Sequence, residues 1–178
     1  SYTAMSNVTI PKAAGIGSRY VLFVTDRNDH FPETDETDNV LAIPIELNAA
    51  NLTVTSADIP DTVSFNETLN VSWTVTNTGE NIAAGNWSDY IYLSDDPIYD
   101  SSDTYLSQFY SPDYTPIEAG DGYTISQPIT IPRTVDAGEQ YILFVTDRGD
   151  YQGETDENDN TLAVPIEIKS PDLEVSEV

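Results

Sequence analysis

An internal repeat constrains this chain more than any other feature of its sequence. The segment 2–54 reappears at 123–175, an offset of about 121 residues, with about half of the positions identical. Self-similarity at a fixed period is typical of arrays in which each repeat is one structural unit. A repeat of this length is long enough to bury its own core. The sequence therefore predicts a tandem array of folded modules.

The repeat divides the 178 residues into three parts. We predict that residues 1–48 are the C-terminal part of one repeat, 49–169 a complete repeat, and 170–178 the first strand of a following repeat. The junctions NAAN and KSPD are too short for a flexible linker of the Gly/Ser type. We therefore expect neighbouring repeats to contact each other within a longer array.

Short alternating segments predict an all-β fold. Apolar and polar residues alternate, with many β-branched and aromatic side chains, at 52–56, 69–76, 87–93, 123–131, 141–146 and 161–168. Turn-forming clusters such as NTGEN separate these segments, and no segment has a helical period. Six or seven short strands in about 120 residues predict an immunoglobulin- or fibronectin-like β-sandwich in each repeat.

Two residues refine this prediction. Trp73 lies in the middle of a predicted strand, with Val71 and Val75 two positions away on either side. That spacing indicates a core residue rather than one that stacks on a ligand. Pro165 lies in the last predicted strand and has no N–H to donate, so we expect this strand to lie at a sheet edge or to carry a bulge.

Composition narrows the classes of partner. The formal net charge is -25, from 31 acidic and 6 basic residues, which disfavours binding to nucleic acid or to anionic membrane surfaces. The chain has no cysteine, so disulfides and thiolate zinc sites are excluded. No apolar run is long enough for direct insertion into a membrane. Bound divalent cations are the leading way to compensate the acidic charge.

The acidic residues are clustered, which predicts where such cations bind. Calcium needs six to eight oxygen ligands around one point, which a clustered set supplies better than an evenly acidic surface. We predict calcium as the cofactor, bound by three groups of carboxylates: Asp147, Asp150, Glu154, Asp156, Glu157 and Asp159; Asp26, Asp29, Glu33, Asp35, Glu36 and Asp38; and Asp95, Asp96, Asp100 and Asp103, with Asp89 nearby.

Alternative interpretations remain for each cluster. The first two groups lie between predicted strands, and either loop is also compatible with a solvated acidic hairpin tip. Gly149 and Gly153 favour tight turns in the loop near residue 150, although the first copy has Asn28 and Pro32 at those positions. The third group is equally compatible with ordinary Asp and Ser turns. No cluster has EF-hand spacing.

Three segments of the complete repeat resemble a known family. They are NLTVTSADIP at 51–60, LNVSWTVTNTGENIAAGNWSDYIYLSDD at 69–96, and YILFVTDRGDYQGETDENDN at 141–160. Their order resembles CARDB, the cell-adhesion-related domain of bacterial and archaeal surface proteins. The TVTNTG turn and the acidic loop before the last strand are the most specific pieces. The resemblance implies a β-sandwich in a large exported protein and implies no particular ligand.

A second resemblance is to cadherins, whose DxNDN calcium linker matches residues 156–160. In cadherins that motif follows the last strand of a module, whereas here the predicted strand TLAVPIEI follows it. The first copy reads DETDN, without the middle asparagine. The placement therefore favours CARDB.

The sequence predicts that the protein is not an enzyme. The only histidine, His30, corresponds to Tyr151 in the second copy, so the two loops do not share a histidine-based chemistry. Glycoside hydrolysis needs a carboxylic acid held protonated in a cleft, and these acids lie in loops of a small sandwich.

We expect a passive structural module of an extracellular or cell-surface protein, in a stalk, filament or surface layer. The alternative is an adhesive module that binds a glycan or a protein. The expected partners are neighbouring repeats of the same chain and, through exposed strand edges of residues 1–47, other copies that exchange strands to form filaments. Five Asn-x-Ser/Thr sequons predict glycosylation at Asn7, Asn51, Asn66, Asn70 and Asn86.

Overall fold

A computed structural model describes residues 2–11, 14–35 and 37–171. The chain divides into two compact units, residues 1–48 and 49–178. The described residues of both units form an all-β structure, as the sequence predicts. In these residues no helix is long and apolar enough to cross a membrane. Most of the predicted third part, 170–178, lies outside the described residues.

The first unit contains one antiparallel hairpin. Its strands are β1 (Gly17–Val24) and β2 (Val40–Leu47), paired in register over their whole length. Leu22 and Phe23 of β1 are each 59% exposed, whereas their counterparts in the second copy, Leu143 and Phe144, are 0% and 1% exposed. The hairpin alone lacks the strands that cover these positions in the second unit. Strand exchange between copies stays a prediction.

The second unit is a sandwich of two sheets. Its strands are β3 (Leu52–Asp58), β4 (Thr62–Ser64), β5 (Thr68–Asn77), β6 (Ser88–Ser94), β7 (Thr104–Tyr110), β8 (Gly122–Thr130), β9 (Gly138–Val145) and β10 (Thr161–Lys169). One sheet has the order β4-β10-β9-β6-β7 and the other β3-β5-β8. The predicted β-sandwich is confirmed. Sequence patterning missed β4, which has three residues, and β7.

The core lies between the two sheets. Val71, Trp73 and Val75 of β5 are buried, as their spacing of two predicts. The ring of Trp73 lies 5.6 Å from the ring of Phe144 on β9, which joins the two layers. Aromatic pairs at this distance contribute roughly 0.5–1.5 kcal/mol beyond their buried area.

A proline and two bulges occur where strands have a side without a paired strand. Pro165 pairs with Tyr141 of β9, while β4 pairs with β10 only from Glu167 onward. The second side of β10 is thus free of a strand at Pro165, as a residue without an N–H requires. The edge strands β3 and β7 each pair through a register shift, and such bulges disfavour pairing with another chain.

The TVTNTG turn after β5 depends on one buried asparagine. Asn77 Oδ1 accepts hydrogen bonds from the amides of Asn51 (3.0 Å) and Gly79 (3.2 Å). Its Nδ2 donates to the carbonyls of Asn81 (2.7 Å) and Ile117 (3.1 Å). The side chain therefore bonds four backbone groups, of which only the Ile117 carbonyl also accepts a backbone hydrogen bond, from the amide of Ala83 (2.9 Å). This accounting explains why the turn is such a specific part of the sequence.

A buried carboxylate joins the two sheets. Asp89 on β6 accepts hydrogen bonds from Trp73 Nε1 (2.8 Å) and from the Tyr123 hydroxyl (2.7 Å), which belong to the opposite sheet. It also accepts from Thr146 Oγ1 (2.8 Å), directly after β9. Asp89 is therefore a core residue, and the sequence-based grouping with the nearby loop carboxylates is wrong.

The first prediction concerns Asn77. Asn77→Ala leaves the amides of Asn51 and Gly79 and the carbonyl of Asn81 without this partner and weakens the bonding of a fourth group, so we expect the free energy of unfolding to fall by roughly 2–4 kcal/mol. Urea denaturation measures it. Asn70→Ala, at an exposed position of the same strand, is the control and should change stability by no more than about 0.5 kcal/mol. Equal effects of the two variants would contradict the role of Asn77.

The second prediction concerns pH. Burial raises the pKa of Asp89 to about 6, against the opposing effect of the hydrogen bonds from Trp73, Tyr123 and Thr146. The folded pKa therefore exceeds the unfolded value of 3.8. Stability from this group is largest below the unfolded pKa and is lost as the pH rises through about 6.

Asp89→Asn removes this titration and nearly preserves the shape of the side chain. Between pH 7.5 and 4.5, we expect the native protein to gain roughly 2 kcal/mol more stability than the variant. Urea denaturation of both proteins across this range measures the difference, which cancels the general effect of protonating surface carboxylates. Parallel stability curves would contradict the assignment.

Candidate functional site

The loop between β9 and β10 begins with a buried aspartate that organises the backbone. Asp147 accepts hydrogen bonds from the amides of Tyr151 (3.0 Å) and Gln152 (2.7 Å). Asp147 and Asp150 have φ of 40° and 55°, in the left-handed region that Asp tolerates better than most residues. The tight turns are therefore made by aspartates, and Gly149 and Gly153 have no positive φ.

The first copy repeats this geometry. Asp26 accepts from the amides of His30 (2.9 Å) and Phe31 (2.8 Å), and Asp26 and Asp29 have φ of 39° and 54°. Asn28 and Pro32 replace the two glycines there without changing the turn, because neither glycine position needs a positive φ. The sequence-based role given to Gly149 and Gly153 is thus wrong.

An arginine holds the start of the loop against the outer face of the five-stranded sheet. The Arg148 guanidinium lies 5.3 Å, 5.8 Å and 5.5 Å from the ring centroids of Tyr90, Tyr92 and Tyr99. Its Nε donates to the Tyr99 hydroxyl. Cation–π contacts of this kind are worth about 0.5–1 kcal/mol each at exposed sites. The loop is thus fixed on its outer side.

Two carboxylates hold the end of the loop against the start of β3. Glu154 Oε2 accepts from the amide of Leu52, and its Oε1 accepts from Asn160 Nδ2 (3.1 Å). Asp159 Oδ2 accepts from Asn51 Nδ2 (2.8 Å). The bonds from Leu52 and Asn51 join residues more than 100 positions apart in the sequence. The acidic loop is therefore part of the folded sandwich rather than a solvated hairpin tip.

The electrostatics of Glu154 show that negative charge is crowded here. Burial, with smaller contributions from the charges of Glu157 and Asp147, raises the pKa of Glu154 to about 8. The hydrogen bonds from Leu52 and Asn160 act in the opposite direction. The ionised form of Glu154 is unfavourable here, and a nearby cation would favour it.

Two side-chain oxygens in this loop are buried without a hydrogen-bond partner. They are Oδ1 of Asp159 and Oδ1 of Asn160, and Asn160 is only 7% exposed. Asp147, Asp150, Glu157 and Asn160 line one surface pocket of about 350 Å³. An unpaired buried oxygen beside several carboxylates fits a hard divalent cation, because such ions take carboxylate and amide oxygens as ligands.

The carboxylates are not gathered around one point. Among residues 2–11, 14–35 and 37–171, no three acidic or histidine side chains converge as a metal-ligand group. Asp156 is exposed at the loop tip and accepts from the amide and Nδ2 of Asn158 (2.9 Å each). A cation would require side chains of the pocket, such as the exposed Glu157, to rotate toward Asn160.

The other predicted ligands that the structure describes are exposed, except Asp26 and Asp103, which are half-buried. In the first loop, Asp26, Asp29, Glu33, Asp35 and Asp38 are accessible, and Glu36 lies outside the described residues. Asp35 accepts from the amide and hydroxyl of Thr37, and these hydrogen bonds lower its pKa. The hairpin carries the loop without the strand β3 that anchors its counterpart in the second unit.

In the β6–β7 loop the aspartates form turns. Asp96 accepts from the amide of Ile98 (2.7 Å), and Asp100 accepts from the amide and hydroxyl of Ser102 (2.6 Å each). Asp103 accepts from the amide of Asp100, and Asp95 is exposed. The hydrogen bonds from Ser102 lower the pKa of Asp100. This geometry is that of ordinary Asx turns, the alternative that the sequence left open.

The five sequons differ in accessibility. Asn7, Asn66, Asn70 and Asn86 are exposed. Asn51 is buried, and its Nδ2 donates to Thr78 Oγ1 (3.0 Å) as well as to Asp159. A glycan on this nitrogen is incompatible with those bonds, so the prediction of glycosylation at Asn51 is wrong for the folded module.

Sequence reasoning selected acids and missed the asparagines that organise the site. In the sequence, Asn51 belongs to a sequon and Asn160 to the cadherin-like motif, and neither pattern predicts the role of the side chain. A usable signal was available for Asn160, because the first copy has Asn39 at the same position, directly before the last strand. Asn51 gave no such signal, since its partners lie far away in the sequence.

Comparison with known proteins places the second unit in context. The family model CARDB matches residues 49–164. A CARDB domain of the PF1109 protein from Pyrococcus furiosus, solved in complex with di-metal ions, has a TM-score of 0.51 and 16% identity, with 68% of this chain and 90% of that chain covered. A domain assigned to a cell surface protein of Methanosarcina acetivorans has a TM-score of 0.50 and 15% identity, with coverage of 69% and 95%. No curated protein matches the chain.

The third prediction concerns Asp147 as a structural residue. Asp147→Ala removes the acceptor of two backbone amides, so in EDTA we expect a loss of about 2 kcal/mol relative to Asp136→Ala. Asp136 is exposed, and its replacement changes the net charge equally, so the difference reports the loss of the buried carboxylate with its hydrogen bonds and not the change in net charge. Urea denaturation provides the measurement. Equal stability of the two variants would show that the loop does not depend on Asp147.

Proposed function

The chain belongs to the CARDB family, and from that premise we propose that it is a structural repeat module of an extracellular or cell-surface protein, rigidified by calcium in the loop between β9 and β10. The observation that carries the calcium proposal is the buried, unpaired Oδ1 of Asn160, a residue that lines a pocket together with three carboxylates and Arg148. The module would serve as a spacer in a stalk, filament or surface layer.

A similar domain of known structure supports a location at the cell surface. The similar domain from Methanosarcina acetivorans belongs to a protein assigned to the cell surface. A net charge of -25 keeps an extended array soluble, provided that its self-repulsion is compensated. The sequons at Asn7, Asn66, Asn70 and Asn86 are exposed and compatible with glycosylation. Glycans would also increase the solubility of an array.

The choice of calcium follows from the donor atoms. The residues that would hold the ion are the pocket residues Asp147, Asp150, Glu157 and Asn160, with Glu154 and Asp159 beside them. All of their donors are carboxylate or amide oxygens. Calcium accepts such ligands in irregular geometry, whereas magnesium requires a near-ideal octahedron. The metal ions bound by the similar Pyrococcus furiosus domain support a metal at this family's fold.

An adhesive role is the second candidate, and one surface favours it. Tyr90, Tyr92, Tyr105 and Tyr110 lie on β6 and β7, and Tyr105 and Tyr110 are 54% and 55% exposed. The strand β7 carries no charged residue, although the chain has 31 acids. Tyrosine is enriched where one partner's surface is apolar and partly wet, as in glycan or protein recognition.

The fourth prediction tests calcium binding. At constant ionic strength, we expect calcium to raise the unfolding temperature by roughly 5–10 °C over EDTA, because a ligand that binds only the folded state stabilises it. Differential scanning calorimetry provides the measurement. Magnesium and monovalent salt are the reference ligands, and an equal response to all three would exclude a specific calcium site.

Variants of Asn160 locate the site. Asn160→Ala removes the unpaired oxygen and should abolish most of the difference between calcium and EDTA. Asn160→Asp keeps an oxygen there and should retain it. Asn158→Ala is the matched control at the exposed loop tip and should leave the response unchanged. A full calcium response in Asn160→Ala would place the ion elsewhere.

A further inference from the structure

The segment that opens the second unit is held from one side by the TVTNTG turn. The carbonyl of Asn51 accepts from the amide of Thr78 (2.7 Å), and the carbonyl of Ala49 accepts from the amide of Asn81 (3.3 Å). Gly79 approaches this segment so closely that a Cβ would lie 2.5 Å from the Ala50 carbonyl carbon and the Asn51 nitrogen. The turn therefore packs tightly against residues 49–51 on this side.

The acidic loop holds the same segment from the other side. The amide of Thr155 donates to the carbonyl of Ala50 (3.0 Å), and Thr155 Oγ1 donates to Asn51 Oδ1 (2.8 Å). The amide of Asp156 also donates to Asn51 Oδ1 (2.8 Å). Residues 49–53 thus lie between two loops. Their hydrogen bonds to the TVTNTG turn do not depend on the acidic loop, whereas those on the other side do.

Two carboxylates connect this segment to the pocket. Glu154 Oε2 accepts from the amide of Leu52, and its Oε1 accepts from Asn160 Nδ2. The Oδ1 of Asn160 itself has no hydrogen-bond partner. Asp159 uses Oδ2 on Asn51 and leaves Oδ1 buried without a partner. Each carboxylate therefore binds residues 49–53 through one oxygen. The other oxygen accepts from Asn160 in Glu154 and has no hydrogen-bond partner in Asp159.

We propose that a divalent cation in the β9–β10 loop locks residues 49–53 in place, so that the ion sets the stiffness of the segment through which the chain enters the module. This inference rests on the proposed function. Without a cation, the negative charge of the loop is not compensated, which favours opening of the loop, and opening breaks the bonds to Ala50, Asn51 and Leu52 together. Coupling between two sites is reciprocal, so fixing the segment also favours ion binding.

Hydrogen exchange of the whole chain, with calcium alone as the probe, tests the proposal. By NMR, we expect calcium to slow exchange of the Leu52 and Thr155 amides at least tenfold relative to the amides of β4. The strand β4 is also short, and it pairs with the far end of β10 from Glu167 to Lys169, so it reports changes in global stability. Isothermal titration calorimetry on the same sample establishes whether calcium binds.

We call the hydrogen bonds between the β9–β10 loop and residues 49–53 the clamp. Thr155→Val weakens the clamp without removing a ligand of the ion. It removes the hydroxyl that donates to Asn51 and leaves every proposed ligand in place, so calcium should still bind while the slowing at Leu52 falls severalfold. Thr76→Val, which removes a hydroxyl bonded to Thr55 Oγ1 on the outer sheet face, should behave like the native protein.

The outcomes are distinguishable. Calcium binding with selective slowing at Leu52 and Thr155 supports the proposal. Calcium binding without that slowing overturns the proposal and leaves the metal site standing. No calcium binding overturns both this inference and the calcium part of the proposed function.

Discussion

The buried carboxylate of Asp89 fixes the relation between the two sheets, and the acidic loop depends on that relation. Trp73 and Tyr123 donate to Asp89 from one sheet, and Thr146 donates from the end of β9 in the other. The next residue is Asp147, whose carboxylate starts the loop. A core network that satisfies each of its donors thus determines where the loop begins, and the loop inherits the rigidity of the sandwich.

Acidic side chains in this protein do three kinds of work. Asp89 joins sheets, Asp147 and Asp100 cap backbone turns, and Glu154 and Asp159 tie the loop to β3. A high count of Asp and Glu does not by itself indicate a metal site, because most of these carboxylates have backbone or side-chain donors. The informative atoms are the oxygens left without donors in a buried place, which are found at the end of the β9–β10 loop.

The sequence predicted the fold well because its signals are local and periodic. Alternation identified β5 and placed Trp73 in the core, and the repeat identified corresponding loops with the same backbone geometry at Asp26 and Asp147. It failed where the determinant is a contact between distant segments. Asn51, Asn77 and Glu154 act through partners 26 to 108 positions away, and no local pattern marks such pairings. Three-residue β4 was missed because its parallel pairing with β10 is also set by the tertiary fold.

The loop residues that form the proposed clamp recur in the other copy of the repeat. The acids and the asparagine before the last strand recur in the first copy, as Glu33, Asp38 and Asn39, so the same carboxylates are available wherever the repeat recurs. A clamp made by the end of a module on its own first residues needs no contact with a neighbour to act. Stiffness would then be set module by module, and an array built this way would respond to cation concentration along its whole length without a dedicated sensor domain.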